Sequence, residues 1–162
     1  MLKKILSSET CAKCRLCCKF DRTDTWELPV FKKSTADAAK AISLGVEFTD
    51  AGDELTFKSP VLTGDELFSC PALTESGCGL SQEHKPFDCK IWPFRIMRDN
   101  KNRTVIALSE LCGGVREYSD ESLRDFLESE GLDKIIFEYA SAHRSHIKPL
   151  MAGYRIIMTE TE

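Results

Sequence analysis

The stretch CAKCRLCC places Cys11, Cys14, Cys17 and Cys18 within eight residues. Three more cysteines, Cys70, Cys78 and Cys89, fall in SCPALTESGCGLSQEHKPFDCK at 69–90, and Cys112 follows. Thiols this dense are rarely packing material. They concentrate sulfur where one or two soft metal centres can be held, so this part of the fold is expected to be ordered by metal. Eight is an even number, which in a secreted chain would first suggest disulfides. Adjacent Cys17 and Cys18, however, would bridge each other only through a strained ring, and the C-x2-C-x2-C-C spacing suits metal thiolates better.

Composition sets the frame for that reading. The chain has 162 residues, enough for one domain with a modest core. Its formal net charge of −4 argues against general affinity for nucleic acid, which requires a basic surface. No apolar run approaches the roughly 20 residues that span a bilayer, so no membrane partner is expected. The opening MLKKILSSET has too short an apolar stretch for a signal peptide, which makes a reducing cytoplasmic setting the default. A protein partner of unknown identity stays open.

Outward from the cysteines, the pattern predicts one small α+β domain over 1–162. Its N-terminal part is cysteine-rich, ordered by metal and built with short hairpins; two helices over 119–148 form its C-terminal part. Residues 8–20 read as a ligand-bearing turn followed by a short helix. Ser34 or Thr35 is expected to cap a helix through ADAAKAISL, closed by Gly45. VEFTD and ELTFKS read as strands around a turn at Ala51-Gly52-Asp53. Thr63 to Lys90 holds three cysteines, three glycines and two prolines with little apolar periodicity, so something other than a core must order it.

The clearest hairpin is FRIMR and TVIALS around Asp99-Asn100-Lys101-Asn102. Ser119 is the expected N-cap of a helix with Leu123, Phe126 and Leu127 on its apolar face, ended by Gly131. A second helix from Asp133 carries Ile135, Ile136, Tyr139, Ala140, His143 and Ile147 at helical spacing and stops at Pro149. YRIIM reads as a final strand.

Two chemistries suit the cysteines. Zinc in an all-thiolate site takes four ligands at about 2.3 Å in tetrahedral geometry. A C-x2-C-x2-C run also grips iron–sulfur clusters, although here Cys18 follows Cys17 at once, where ferredoxins continue with three residues and Cys-Pro. Spacing alone does not choose between zinc and an iron–sulfur cluster, nor between one centre and two.

The ordered set CAKCRLCC, CPAL, GCGL, KPFDCKIWPF and, more loosely, LCGG resembles the CxxCxxCC cysteine-cluster family, described as zinc- or iron-chelating domains. The resemblance spans roughly residues 9–116. It implies metal binding, with Cys11, Cys14, Cys17, Cys18, Cys70, Cys78 and Cys89 as ligands and Cys112 joining them. Lys85 stands where the family usually has arginine, and Gly79-Leu80-Ser81 replaces a more usual isoleucine-tyrosine pair. Flagellin lysine-N-methylases carry a similar cysteine block. By analogy this gives a second expectation: an iron–sulfur-dependent enzyme or redox partner acting in protein lysine methylation.

His84 lies inside the cysteine block and is a candidate fourth ligand of a three-cysteine, one-histidine site. His143 and His146, three residues apart, form a possible chelating pair, with core packing as the commoner use of such histidines. Arg15, Lys90 and Arg95 are candidate counter-charges for thiolates. No nucleophile elbow, phosphate loop, H-E-x-x-H or dinucleotide fingerprint occurs, so no catalytic residues are named.

Overall fold

The computed structural model describes residues 2–21, 27–43, 47–51, 53–58 and 67–160. The chain is mixed α+β, and its backbone contacts divide it into an N-terminal unit, Leu2–Lys90, and a C-terminal unit, Ile91–Glu162.

In the N-terminal unit, helix α1 (Ser8–Cys14) begins at Ser7, whose hydroxyl accepts the Thr10 N–H at 3.0 Å. It ends where Arg15 turns left-handed at φ 55°, and a 3₁₀ turn over Leu16–Cys18 follows. The order is thus helix then turn, the reverse of the expected turn then helix. The Ser7 cap and the Arg15 reversal set it.

Strand β1 (Lys19–Phe20) leads on from the turn. Strand β2 (Phe31–Lys32) runs straight into α2 (Lys33–Ile42), with Lys32 at the N-cap position. Ser34 and Thr35 therefore lie within the first turn and do not cap it. Pairing of β2 with β4 fixes where the helix starts: Phe31 stands opposite Leu55 and Lys32 opposite Glu54. The expected stop at Gly45 lies outside the described residues.

Strands β3 (Phe48–Ala51) and β4 (Glu54–Phe57) form the expected hairpin, whose turn residue Gly52 also lies outside the described residues. Within the segment expected to be loop-rich come β5 (Phe68–Ser69), β6 (Leu73–Thr74), β7 (Gly77–Cys78) and α3 (Phe87–Ile91). Apart from α3 these are two-residue strands, too short to be stable by their ladders alone. What anchors them is an aromatic core. Phe57 lies 5.3 Å from Phe20, 5.7 Å from Phe68 and 6.1 Å from Phe31, ring centre to ring centre. Cys70, Ala72 and Leu80 belong to the same buried cluster, and Cys18 packs against it.

The C-terminal unit is a four-stranded sheet in the order β10-β8-β9-β11, with two helices. Strands β8 (Phe94–Arg98) and β9 (Thr104–Ser109) make the expected hairpin and bury nearly every residue. Asp99 locks its turn: Oδ1 accepts N–H bonds from Lys101 (2.9 Å) and Arg103 (2.8 Å), while Oδ2 pairs with the Arg103 guanidinium at 2.7 Å. The Arg103 backbone bond, followed by its side chain and the Lys101 N–H, holds the Asp99 carboxyl below the ordinary 3.8 against the opposing effect of burial. A lowered carboxyl stabilises the fold above the ordinary pKa and loses that contribution as pH falls through its own. Asp99→Asn is therefore expected to lower the melting temperature at neutral pH, with the difference from wild type closing in acid; a gap that persists at low pH would contradict this.

Helix α4 (Asp120–Ser129) has the expected cap, Ser119 Oγ accepting the Ser122 N–H at 3.1 Å. Gly131, at φ 63°, separates it from α5 (Leu132–Ala142). Helix α5 stops before His143, so His143 and Ile147 fall beyond it; a 3₁₀ turn over Arg144–His146 intervenes. Pro149 ends no helix but sits in β10 (Lys148–Pro149), parallel to β8. Strand β11 (Tyr154–Thr159) confirms the expected final strand and pairs with β9. Helix α4 ties down this edge strand: Arg124 Nε donates to the Ile157 carbonyl at 3.2 Å, and Arg155 meets Asp120 at 2.7 Å.

Candidate metal centre

Seven of the eight cysteines lie in the N-terminal unit. Helix α1 puts Cys11 and Cys14 one turn apart, and the 3₁₀ turn sets Cys17 and Cys18 just beyond the left-handed Arg15. Arg15 is more than a counter-charge. Its Nε donates to the Ala12 carbonyl at 2.8 Å and its guanidinium reaches the Glu75 carbonyl in the loop between β6 and β7. The same side chain thus caps α1 and clamps it to the hairpin that carries Cys78.

Gly77 makes that approach possible. At φ 108° it occupies backbone space that side chains rarely adopt, and a Cβ there would stand 3.2 Å from the Ala12 Cβ. Gly77→Ala is expected to destabilise the protein by about 1–3 kcal/mol. A melting temperature equal to wild type would argue against the close packing of α1 on β7.

Cys70 is brought in from the other side. In the antiparallel β1–β5 pair, Lys19 faces Ser69 and Phe20 faces Phe68, and Cys18 and Cys70 lie one step beyond that ladder. The Cys70 N–H donates to the Cys18 carbonyl at 2.8 Å. Beyond it, the Leu73 N–H bonds the Cys70 carbonyl and the Gly79 N–H bonds the Ala72 carbonyl, which returns Cys78 toward the same place.

The thiols sense one another. A side-chain hydrogen bond to Cys18 pushes the Cys17 thiol strongly up, helped by burial and the charge on Cys18; the Cys17 backbone and Lys85 pull the other way. Burial pushes Cys70 up to about 11, with Cys78 and Cys17 adding to the shift and an Ala72 backbone bond opposing it. Cys17 and Cys18 thus touch, Cys70 lies within electrostatic reach of Cys17 and Cys78, and Lys85 within reach of Cys17. Nothing local in the sequence marks Lys85 for this position beyond a basic residue before Pro86.

A thiol whose folded pKa is raised stabilises the fold fully below the ordinary value of 9.0 and loses that contribution as pH rises toward 11. The metal-free protein is expected to lose on the order of 3 kcal/mol from Cys70 across that window. A Cys70→Ala protein should lack this part of the alkaline decline. Parallel declines in the two proteins would count against a buried, protonated Cys70.

The remaining candidates stand as follows. Cys14, Cys78 and Cys89 are exposed, Cys11 is half-buried, and Cys89 is the middle residue of α3. Cys112 is buried in the C-terminal unit, after β9, where its carbonyl accepts the Val115 N–H at 3.4 Å. His84 engages Ser81, Nδ1 to Oγ at 2.8 Å. His146 is buried with Nδ1 2.8 Å from the Tyr139 hydroxyl, and the His143 ring stacks on Tyr139 at 4.1 Å. Arg95 is buried beside the Trp92 ring, 5.7 Å away.

Among the described residues, no group of three or more histidine, cysteine, aspartate or glutamate side chains is gathered closely enough to hold a metal ion. Thiolates are soft donors, which suit zinc and iron–sulfur centres where four of them converge.

Comparison of the chain with protein-family models, curated proteins and solved structures gives no match. Among the described residues, no helix is long and apolar enough to cross a membrane.

Proposed function

We propose that the N-terminal unit is a metal-binding module in which Cys17, Cys18, Cys70 and Cys78 hold zinc or an iron–sulfur cluster. Cys11 and Cys14 on α1, and Cys89 on α3, stand as further ligands should a second centre form. The observation that carries this reading is the pairing of β1 with β5, which sets Cys18 against Cys70 across 51 intervening residues. The resemblance to the CxxCxxCC family supports the same conclusion. Bound metal would cross-link segments whose own ladders are two residues long, and in such a module binding free energy is folding free energy.

The role of each residue follows from its place. Cys70, in the core, is the fixed point; Cys17 and Cys18 come from the 3₁₀ turn; Cys78 comes from the hairpin that Arg15 clamps. Lys85 offsets charge as thiols give up protons. The test is thiol footprinting of the reduced protein with and without zinc. Protection of Cys17, Cys18, Cys70 and Cys78 from alkylation is expected. Equal labelling of these four in both samples would overturn the reading.

A further inference from the structure

Cys18 and Cys70 share a relationship that metal binding does not require. They lie one step beyond the two-residue β1–β5 ladder, joined by the Cys70 N–H to Cys18 carbonyl bond at 2.8 Å, while the Cys18 N–H turns to the Arg15 carbonyl. Residues opposed at a hydrogen-bonded antiparallel position stand about 5.5 Å apart, Cα to Cα. Disulfides form across Cα separations of roughly 4.4–6.8 Å. The backbone bond thus brings the two residues into the range from which a disulfide can close. They also differ in access: Cys18 is half-buried, whereas Cys70 is 8% exposed and lies in the aromatic core.

We propose that Cys18 and Cys70 form a redox switch, closing to a cross-strand disulfide when the protein meets a hydroperoxide. The more accessible Cys18 reacts first. Its thiolate sulfur attacks the peroxide, an S–O bond forms as the O–O bond breaks, and Cys18 becomes a sulfenic acid with release of water or an alcohol. The Cys70 sulfur then displaces the sulfenic oxygen as water, and the S–S bond forms. Two thiols are oxidised, one peroxide is reduced, and the two thiol protons leave in the products. A thiol reductant reverses the step by exchange.

The consequence for metal rests on the proposed function: the bond removes two of four thiolates, so a centre held there would be released. Cys17 and Cys78 alone leave a site half empty. Oxidation would then work as a release signal, with the β1–β5 pair kept in register by the new covalent link.

The experiment uses the full reduced chain, first metal-free, treated with one equivalent of hydrogen peroxide. The expected result is loss of two of the eight thiols, with peptide mapping placing the bond between Cys18 and Cys70. Recovery of both as alkylated cysteines, or a map pairing Cys18 with Cys17 or Cys78, overturns the switch. A second arm repeats the treatment on zinc-loaded protein with a chromogenic chelator present. Zinc release in step with the Cys18–Cys70 bond is expected, and bond formation with zinc retained overturns the coupling. Failure of the reduced chain to take up zinc at all would instead sink the metal reading and remove the coupling, while the map from the metal-free arm would still decide the disulfide.

Discussion

A Cys70→Ser protein is expected to emerge from purification without metal, where the wild-type chain retains it. Cys70 is the one cysteine of the proposed centre that lies in the core, between the Cys18 turn and the Cys78 hairpin. Serine supplies no soft thiolate, so three sulfurs would be left for a metal that prefers four. The loss should be structural as well as chemical. Structural zinc in small domains contributes apparent binding free energies of about 10–16 kcal/mol near neutral pH. Helix α1 and the strands β1, β5, β6 and β7 are held besides by the aromatic core and the Arg15 clamp, so metal loss should loosen them rather than unfold them. Hydrogen exchange should therefore speed up through 8–20 and 68–78 in the variant, and equally in wild type stripped by a strong chelator, while the aromatic core keeps β1 and β5 paired. Chelated wild-type protein with unchanged protection and an unchanged circular dichroism spectrum would contradict this.

Phe57→Ala is expected to cost about 3–5 kcal/mol, the range for removing a buried aromatic ring. Phe57 is 2% exposed and touches the rings of Phe20, Phe31 and Phe68, which belong to β1, β2 and β5. A cavity at this point loosens the framework that sets Cys18 against Cys70. Small proteins hold only about 5–15 kcal/mol of net stability, so the urea midpoint should fall steeply and metal affinity should fall with it. The two effects separate cleanly: excess zinc should restore part of the stability by mass action if the site survives. A midpoint shift corresponding to less than about 1 kcal/mol would show that the aromatic cluster is not the frame of this unit.

How far the sequence foretold this arrangement depends on the range of the forces involved. The β8–β9 hairpin, the Ser119 cap and strand β11 are set by local chemistry: a turn-forming Asp99–Asn102, a hydroxyl at an N-cap, a short run of β-branched and apolar residues. Each could be read directly. Around α1 the same local logic failed, because the helix precedes the turn. Ser7 caps from outside the cysteine run, and Arg15 takes a left-handed conformation that its residue type does not advertise. Ser34 and Thr35 looked like caps, yet pairing of β2 with β4 starts the helix earlier. His143 continued the apolar face of α5 on paper, but the helix ends at Ala142.

The candidate site divides in the same way. The cysteines announced themselves by spacing, and Cys17 and Cys18 lie together because they are neighbours in the chain. That Cys70 and Cys78 come near them was not legible, since no local signal links residues 52 or more positions apart. Phe20, Phe57 and Phe68 make that connection by packing β1, β4 and β5 into one core. Gly77 and Arg15 complete it through a close approach and a clamp, neither of which has a motif.

The most direct test of the central claim is metal content per chain, measured by mass spectrometry with an absorbance spectrum on untagged protein purified without oxygen. Zinc or iron bound in a fixed ratio to the chain is the predicted result, colourless for zinc and with a broad band near roughly 400 nm for a cluster. Fully reduced protein that carries no metal, and takes up neither zinc nor iron with sulfide on reconstitution, would contradict the account.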